Sequence, residues 1–144
     1  MKDQYHLQRF LDAQKHDYSI ALHEIKNGRK HSHWMWYIFP QLKGLGRSYN
    51  ADYYGITDLS EAIAYLENET LRERLEETSK ALLEIIGNDA LLIMGNPDHH
   101  KLKSCMTLFS SVPGSNPVFK KVLIKFFEGR KSRRTLKILQ EREH

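Results

Sequence analysis

The sequence predicts an all-α fold, a compact single-domain array of about six to eight helices with little or no strand. Three observations carry this. Apolar residues recur at steps of three and four along most of the chain, the spacing that lines one face of a helix. Start and stop signals cut these stretches into ordinary helical lengths. Period-two alternation, the mark of a half-buried strand, occurs only at Trp34-x-Trp36-x-Ile38, and Trp34, Tyr37 and Ile38 also fit one helical turn. No partner strand is evident, and a lone strand leaves its backbone groups unpaired.

In residues 7–27, Leu7, Phe10 and Leu11, then Ile20, Ala21 and Ile25, follow helical steps. The polar run at 15–17 is expected to divide them into two helices, and Asn27-Gly28 to end the second. Asp58-Leu59-Ser60-Glu61 has the form of a capping box, with the carboxylate three residues beyond the cap. Leu59, Ile63 and Leu66 share the face that follows, and Asn68 ends it. Leu71, Leu75, Leu82 and Ile86 mark a longer amphipathic helix, closed by Gly87-Asn88. Residues 90–94 make a short turn that stops at Gly95. Asn96-Pro97-Asp98 can start the next helix, with Asp98 at its positive end and Leu102, Cys105, Met106 and Phe109 as its buried stripe. Residues 113–117 are the clearest loop. Val118, Val122, Phe126 and Phe127 line a helix ended by Gly129, and residues 135–143 form a last one. The expected domain spans 1–144, frayed at the N-terminus and along a C-terminal tail.

Composition narrows the class. A chain of 144 residues with 40% hydrophobic and 28% charged residues can bury a core and is expected to be neither a disordered chain nor a membrane protein. No apolar run approaches the roughly 20 residues of a membrane helix. MKDQYHLQRF has no apolar core segment, so no signal peptide is expected, and the cytoplasm is the expected location. One cysteine excludes an internal disulfide and a four-cysteine zinc site. The net charge of +4 mildly favours anionic partners.

Residues 28–46, GRKHSHWMWYIFPQLKGLG, hold both tryptophans and a dense aromatic knot. Read as structure, they plug a core. Read as a site, Trp34 or Trp36 stacks on a flat ligand while Lys30, His33, Gln41 and Arg47 make polar contacts. Gly44-x-Gly46 lacks the third glycine and the preceding strand of a nucleotide fingerprint. His31-x-His33 and the adjacent His99-His100 diverge on a helix, and no His-Glu-x-x-His occurs, so no metal site is expected. His33 is the histidine best placed to carry a proton. In 101–111, KLKSCMTLFSS, Lys101, Ser104 and Thr107 lie beside a buried stripe and can line a polar pocket. Lys101 and Ser104 also have the spacing of a reversed Ser-Lys pair, but nothing supplies an oxyanion hole. Cys105 reads as an inert core thiol. In 129–134, GRKSRR is a basic loop able to touch phosphates, with no reader helix after it.

SHWMWYIFPQLKGLGRS, the Tyr54-Gly55-Ile56 segment, EAIAYLENETLRERL and HHKLKSCMTLF together resemble the family known as domain of unknown function 1810, over about residues 7–139. The resemblance implies a mainly helical domain and no settled activity, substrate or cofactor. Some members are labelled calpastatin, an inhibitor type that is a long disordered chain and does not fit a helical pattern with a dense aromatic segment. A more distant likeness links the Trp-rich segment and the later helices to a helical family acting on NAD- and ADP-ribose-related compounds. That family's acidic motif has no clear match here, so no catalytic residue carries over.

The expected function is binding of a small anionic or nucleotide-like ligand by Lys30, His33, Trp34, Trp36, Gln41, Arg47, Lys101, Ser104 and Thr107. One alternative is an enzyme acting on an NAD- or ADP-ribose-related compound, with His33 and Asp98 as candidate acid or base. The other is a protein-interaction module using an aromatic patch or the loop 130–134. No cofactor, metal, membrane or nucleic-acid partner is expected, and a monomer is.

Overall fold

The computed structural model describes residues 3–143 and is all-α, with nine helices rather than six to eight among those residues. Fraying at residues 1, 2 and 144 lies outside them. From Asp3 onward the chain is tied down: the Asp3 carboxylate accepts from the Leu7 and Gln8 amides, each at 2.7 Å.

α1 runs unbroken through Gln8–Lys26. The expected break at 15–17 does not occur. These polar residues include no Gly or Pro, so they continue the helix with Lys15 and His16 in solvent. Asp17 instead reaches across to accept from the Tyr37 hydroxyl. The stop at Asn27-Gly28 holds, with Gly28 at φ +78°.

α2, Met35–Ile38, resolves the ambiguous Trp segment as a single helical turn, with the Ile38 amide bonded to the Trp34 carbonyl at 3.1 Å. The chain then makes one isolated parallel bridge, Leu42 to Ile56. Its bonds are Lys43 N–H to the Ile56 carbonyl at 2.8 Å and Ile56 N–H to the Gln41 carbonyl at 2.9 Å. Between the two lies α3, Tyr49–Tyr53, capped by the Ser48 hydroxyl. Five residues are too few to show a period, so this helix left no trace in the pattern. Gly55 makes the crossing possible: a β-carbon there would sit 2.6 Å from Lys43 Cα.

α4, Leu59–Glu67, starts as expected, with Asp58 accepting from the Glu61 amide at 3.0 Å. Glu61 reaches back to the Thr57 amide, one residue beyond the cap. Asn68 ends α4 and caps α5, Glu69–Glu84. α5 buries Leu71, Leu75 and Leu82 but stops before Ile86, which is fully exposed rather than part of the stripe. The Lys125 ammonium caps its C-terminal end. It binds the Leu82 and Leu83 carbonyls, each at 2.9 Å, and the Ile85 carbonyl, neutralising the negative helix end.

α6, Ala90–Met94, is capped by Asp89 and stops at Gly95. α7, Asp98–Ser110, is the central helix, with Leu102, Cys105, Met106, Leu108 and Phe109 all fully buried. α8, Val118–Phe127, and α9, Arg133–Glu141, follow; Ser132 caps α9 two residues earlier than the pattern placed it. α7 packs on α8, α8 on α5 and α5 on α1, while α4, α6 and α9 also lie against α7. Phe10, Tyr65 and Phe109 meet in this core with ring centroids 5.1 Å apart at each step. Among the described residues, no helix is long and apolar enough to cross a membrane.

Candidate functional site

The Trp-rich segment is held by one carboxylate. Glu24, buried near the end of α1, accepts from the His31 amide at 2.8 Å, the Ser32 amide at 3.0 Å, the Ser32 hydroxyl at 2.5 Å and Trp34 Nε1 at 2.9 Å. Burial alone would raise its pKa. The four donors outweigh that and hold it at about 2 instead of 4.5. Trp34 is completely buried. Lys30 packs over its ring, 5.0 Å from the centroid, and binds the Ser32 carbonyl at 2.5 Å and Asp98 at 2.9 Å. Lys30 and Trp34 are therefore scaffolding for this segment, and His33 is exposed.

The large cavity lies further on, between the N-terminal half of α7, the approach to α9 and the loop before α3. Its volume is about 1160 Å³. Lys101 and Lys103 line it from α7, Arg130 and Lys131 from the loop before α9, Arg133 and Arg134 from the first turn of α9, and Arg47 from the loop before α3. No carboxylate residue is in the lining. Leu45, Pro97 and Leu136 add apolar wall, and Gln41, Ser48, Ser104 and His100 add hydrogen-bonding groups. Two helices are locked together to form it. Thr107, fully buried on α7, donates to the Lys103 carbonyl at 2.8 Å and accepts from the Ser132 amide at 2.9 Å. Ser132 in turn caps α9 through the Thr135 amide at 3.2 Å. The Thr107 hydroxyl therefore sets where the basic residues 130–134 stand.

Of the residues picked from sequence, Gln41, Arg47, Lys101 and Ser104 converge on this cavity. Trp36 lies next to it, with the Lys101 ammonium 5.3 Å from its ring centroid. Lys30, His33 and Trp34 are not in its lining, and Thr107 stands behind the wall. Asp98 is also outside the lining, shared between Lys30 at 2.9 Å and Lys101 at 3.5 Å. Sequence reasoning treated the loop 130–134 as a separate basic patch, passed over Lys103 and weighed His100 only as a metal ligand. A one-dimensional pattern holds no sign that α9 docks on α7; the one local hint was that 101–103 and 130–134 are both runs of cations free of acids. His100 titrates low, first because it is partly desolvated and then because His99 and Lys103 crowd it with charge. Among the described residues, no three His, Cys, Asp or Glu side chains gather to hold a metal ion.

The chain matches the family model described as Protein of unknown function (DUF1810) over residues 4–139. It is also similar to a solved structure, the conserved hypothetical protein Rv1873 from Mycobacterium tuberculosis, at 42% identity and a TM-score of 0.93. That alignment covers 96% of this chain and 99% of the other. No curated protein matches. The matched span, the residue identity and the shared all-α fold agree, and this chain belongs to the DUF1810 family.

Proposed function

We propose that the protein binds a small, phosphate-bearing, nucleotide-like anion in the cavity between α3, α7 and α9. The observation that carries this is the sign of its walls: seven lysine and arginine side chains and no carboxylate. The whole chain has a net charge of only +4, so the rest of the molecule is net acidic and the positive charge is concentrated here. Holding like charges together is unfavourable, and a bound polyanion relieves it. A phosphate oxygen about 4 Å from one such cation gains up to roughly 4 kcal/mol near a protein surface, before screening and desolvation. Leu45, Pro97 and Leu136 give an organic body something to rest on, which inorganic phosphate would not need.

Calorimetric titration with inorganic pyrophosphate and ADP tests the reading. Both are expected to bind, more weakly as salt rises. Reversing one charge on each of two walls together, Lys103→Glu with Arg133→Glu, is expected to weaken binding at least about 10-fold, the equivalent of one lost ionic contact. Equal affinity in the variant and the parent would overturn it.

His100 gives the site a titratable group. The same anion that neutralises Lys103 and the arginines also favours imidazolium and raises a pKa that is depressed in the free protein, so binding is expected to take up protons as pH falls through the range where this imidazole titrates. Affinity then rises as pH falls through that range. Binding heats that do not change between buffers of different ionisation enthalpy would count against it. His100 also supports a second reading, an enzyme acting on an NAD- or ADP-ribose-related compound, because it is the imidazole in the lining and, with its pKa lowered, is a candidate proton acceptor. Loss of turnover without loss of affinity in His100→Gln would favour that reading over simple binding.

A further inference from the structure

Trp36 carries the one buried side-chain nitrogen or oxygen atom among the described residues that has no hydrogen-bond partner, its indole Nε1. Buried donors are nearly always paired, and an unpaired one calls for a reason. Trp34, two residues earlier, shows the ordinary outcome, with its indole bonded to Glu24. Trp36 lines a small space of about 10 Å³, the lower limit for a single water molecule. That space and the large basic cavity share Gln41, Ala51 and Lys101 as walls. Lys101 stands between them, its ammonium over the Trp36 ring.

We propose that the small space is an inner compartment of the binding site, opened when Lys101 turns towards the bound anion. There Trp36 Nε1 donates to a hydrogen-bond acceptor on the ligand's organic body. This rests on the anion-binding reading above. The acceptor belongs to the organic body because the seven cations of the outer cavity take the phosphates. Lys101 is free to leave. Its contact with Asp98 is 3.5 Å, longer than a hydrogen bond should be, and Asp98 keeps Lys30 at 2.9 Å when Lys101 departs. Gln41 and Asn50 supply further polar groups around the opened space, and Phe39 and Tyr54 supply flat apolar wall. The ligand class is therefore a phosphorylated compound with a flat, acceptor-bearing ring, held at its phosphates outside and at its ring inside.

The test uses the full chain with ¹⁵N-labelled tryptophan, whose two indole N–H signals report Trp34 and Trp36 separately, with binding followed in parallel by calorimetry. ADP is expected to move the Trp36 signal well beyond the shift that pyrophosphate causes by drawing Lys101 off the ring, and both are expected to leave the Trp34 signal in place. Trp36→Phe is expected to weaken ADP about five- to tenfold, as loss of one hydrogen bond should, and to leave pyrophosphate unchanged. The unsubstituted protein carries the spectral result even if that variant folds poorly. ADP heat with a stationary Trp36 signal, or pyrophosphate binding without ADP binding, would overturn the inner compartment and leave the anion site standing. A Trp36 signal moved equally by pyrophosphate would overturn the assignment of the acceptor to the organic body. No heat from either probe would remove the anion reading and this proposal with it.

Discussion

Replacing Arg9 with alanine is expected to lower stability by about 3–5 kcal/mol, a large part of what a domain of this size holds. Arg9 is buried on α1 and uses its whole guanidinium. Nε donates to the Tyr53 carbonyl at 2.8 Å, and Nη1 to the Tyr5 and His6 carbonyls at 2.7 and 2.8 Å. Nη2 donates to the Gly55 carbonyl at 3.1 Å and to Glu61 Oε2 at 2.8 Å. Alanine would leave the Glu61 carboxylate, only 2% exposed, without its counter-charge, and the Tyr5, Tyr53 and Gly55 carbonyls without the guanidinium donor. Lysine is expected to rescue little, because a single ammonium cannot span five acceptors in a planar fork. Urea unfolding of Arg9→Ala and Arg9→Lys measures both effects. A loss below about 1 kcal/mol for alanine would mean that water replaces the guanidinium and that the pair is not the clamp described here. The clamp ties the N-terminus, the end of α3 and the start of α4 into one unit. It therefore supports the α3 side of the cavity although it lies outside the lining.

Glu24→Gln is expected to cost about 2–4 kcal/mol. The carboxylate accepts from four donors, and an amide turned towards the same groups must bring its own NH₂ against some of them. The pH dependence follows from the depressed pKa, about 2 in the folded protein against 4.5 for an ordinary glutamate. Stability from this group is fully present above the unfolded value and is lost as pH falls towards the folded one. The parent should therefore lose its advantage over Glu24→Gln between about pH 5 and pH 2, by an amount approaching 3 kcal/mol. Thermal or denaturant unfolding of both proteins across that range checks it. Parallel stability curves would show that the carboxylate titrates normally and that its bonds contribute little.

The two charged centres were unequally legible. Asp58 and Glu61 announced a helix start, and the cap formed, but the pattern held no sign that Glu61 would turn inward to meet Arg9, which is 52 residues away. Glu24 read as one more polar residue on α1. Its role depends on the chain folding back over it at 31–34, and two of the four donors there are backbone amides, which every residue has and no composition reveals.

Helix type and most helix ends lay in the sequence, because they depend on neighbours three and four residues apart and on local caps. Asp58, Asn68, Gly95 and Gly129 stop or start helices by their own backbone and side-chain chemistry. Four cavity residues, Gln41, Arg47, Lys101 and Ser104, could be named for the same reason: they flank the densest apolar segments, and polar groups beside buried ones line cavities. The rest belonged to tertiary structure. Only the docking of α9 on α7 through Thr107 and Ser132 joins residues 130–134 to Lys101 and Lys103. Only the close crossing at Gly55, with α3 in between, brings Arg47 to the same cavity. Only the fold separates two similar indoles, one bonded to Glu24 in the core and one left unpaired at the cavity edge. Convergence is a matter of distance in space, and spacing along a chain does not encode distance once helices have folded back on one another.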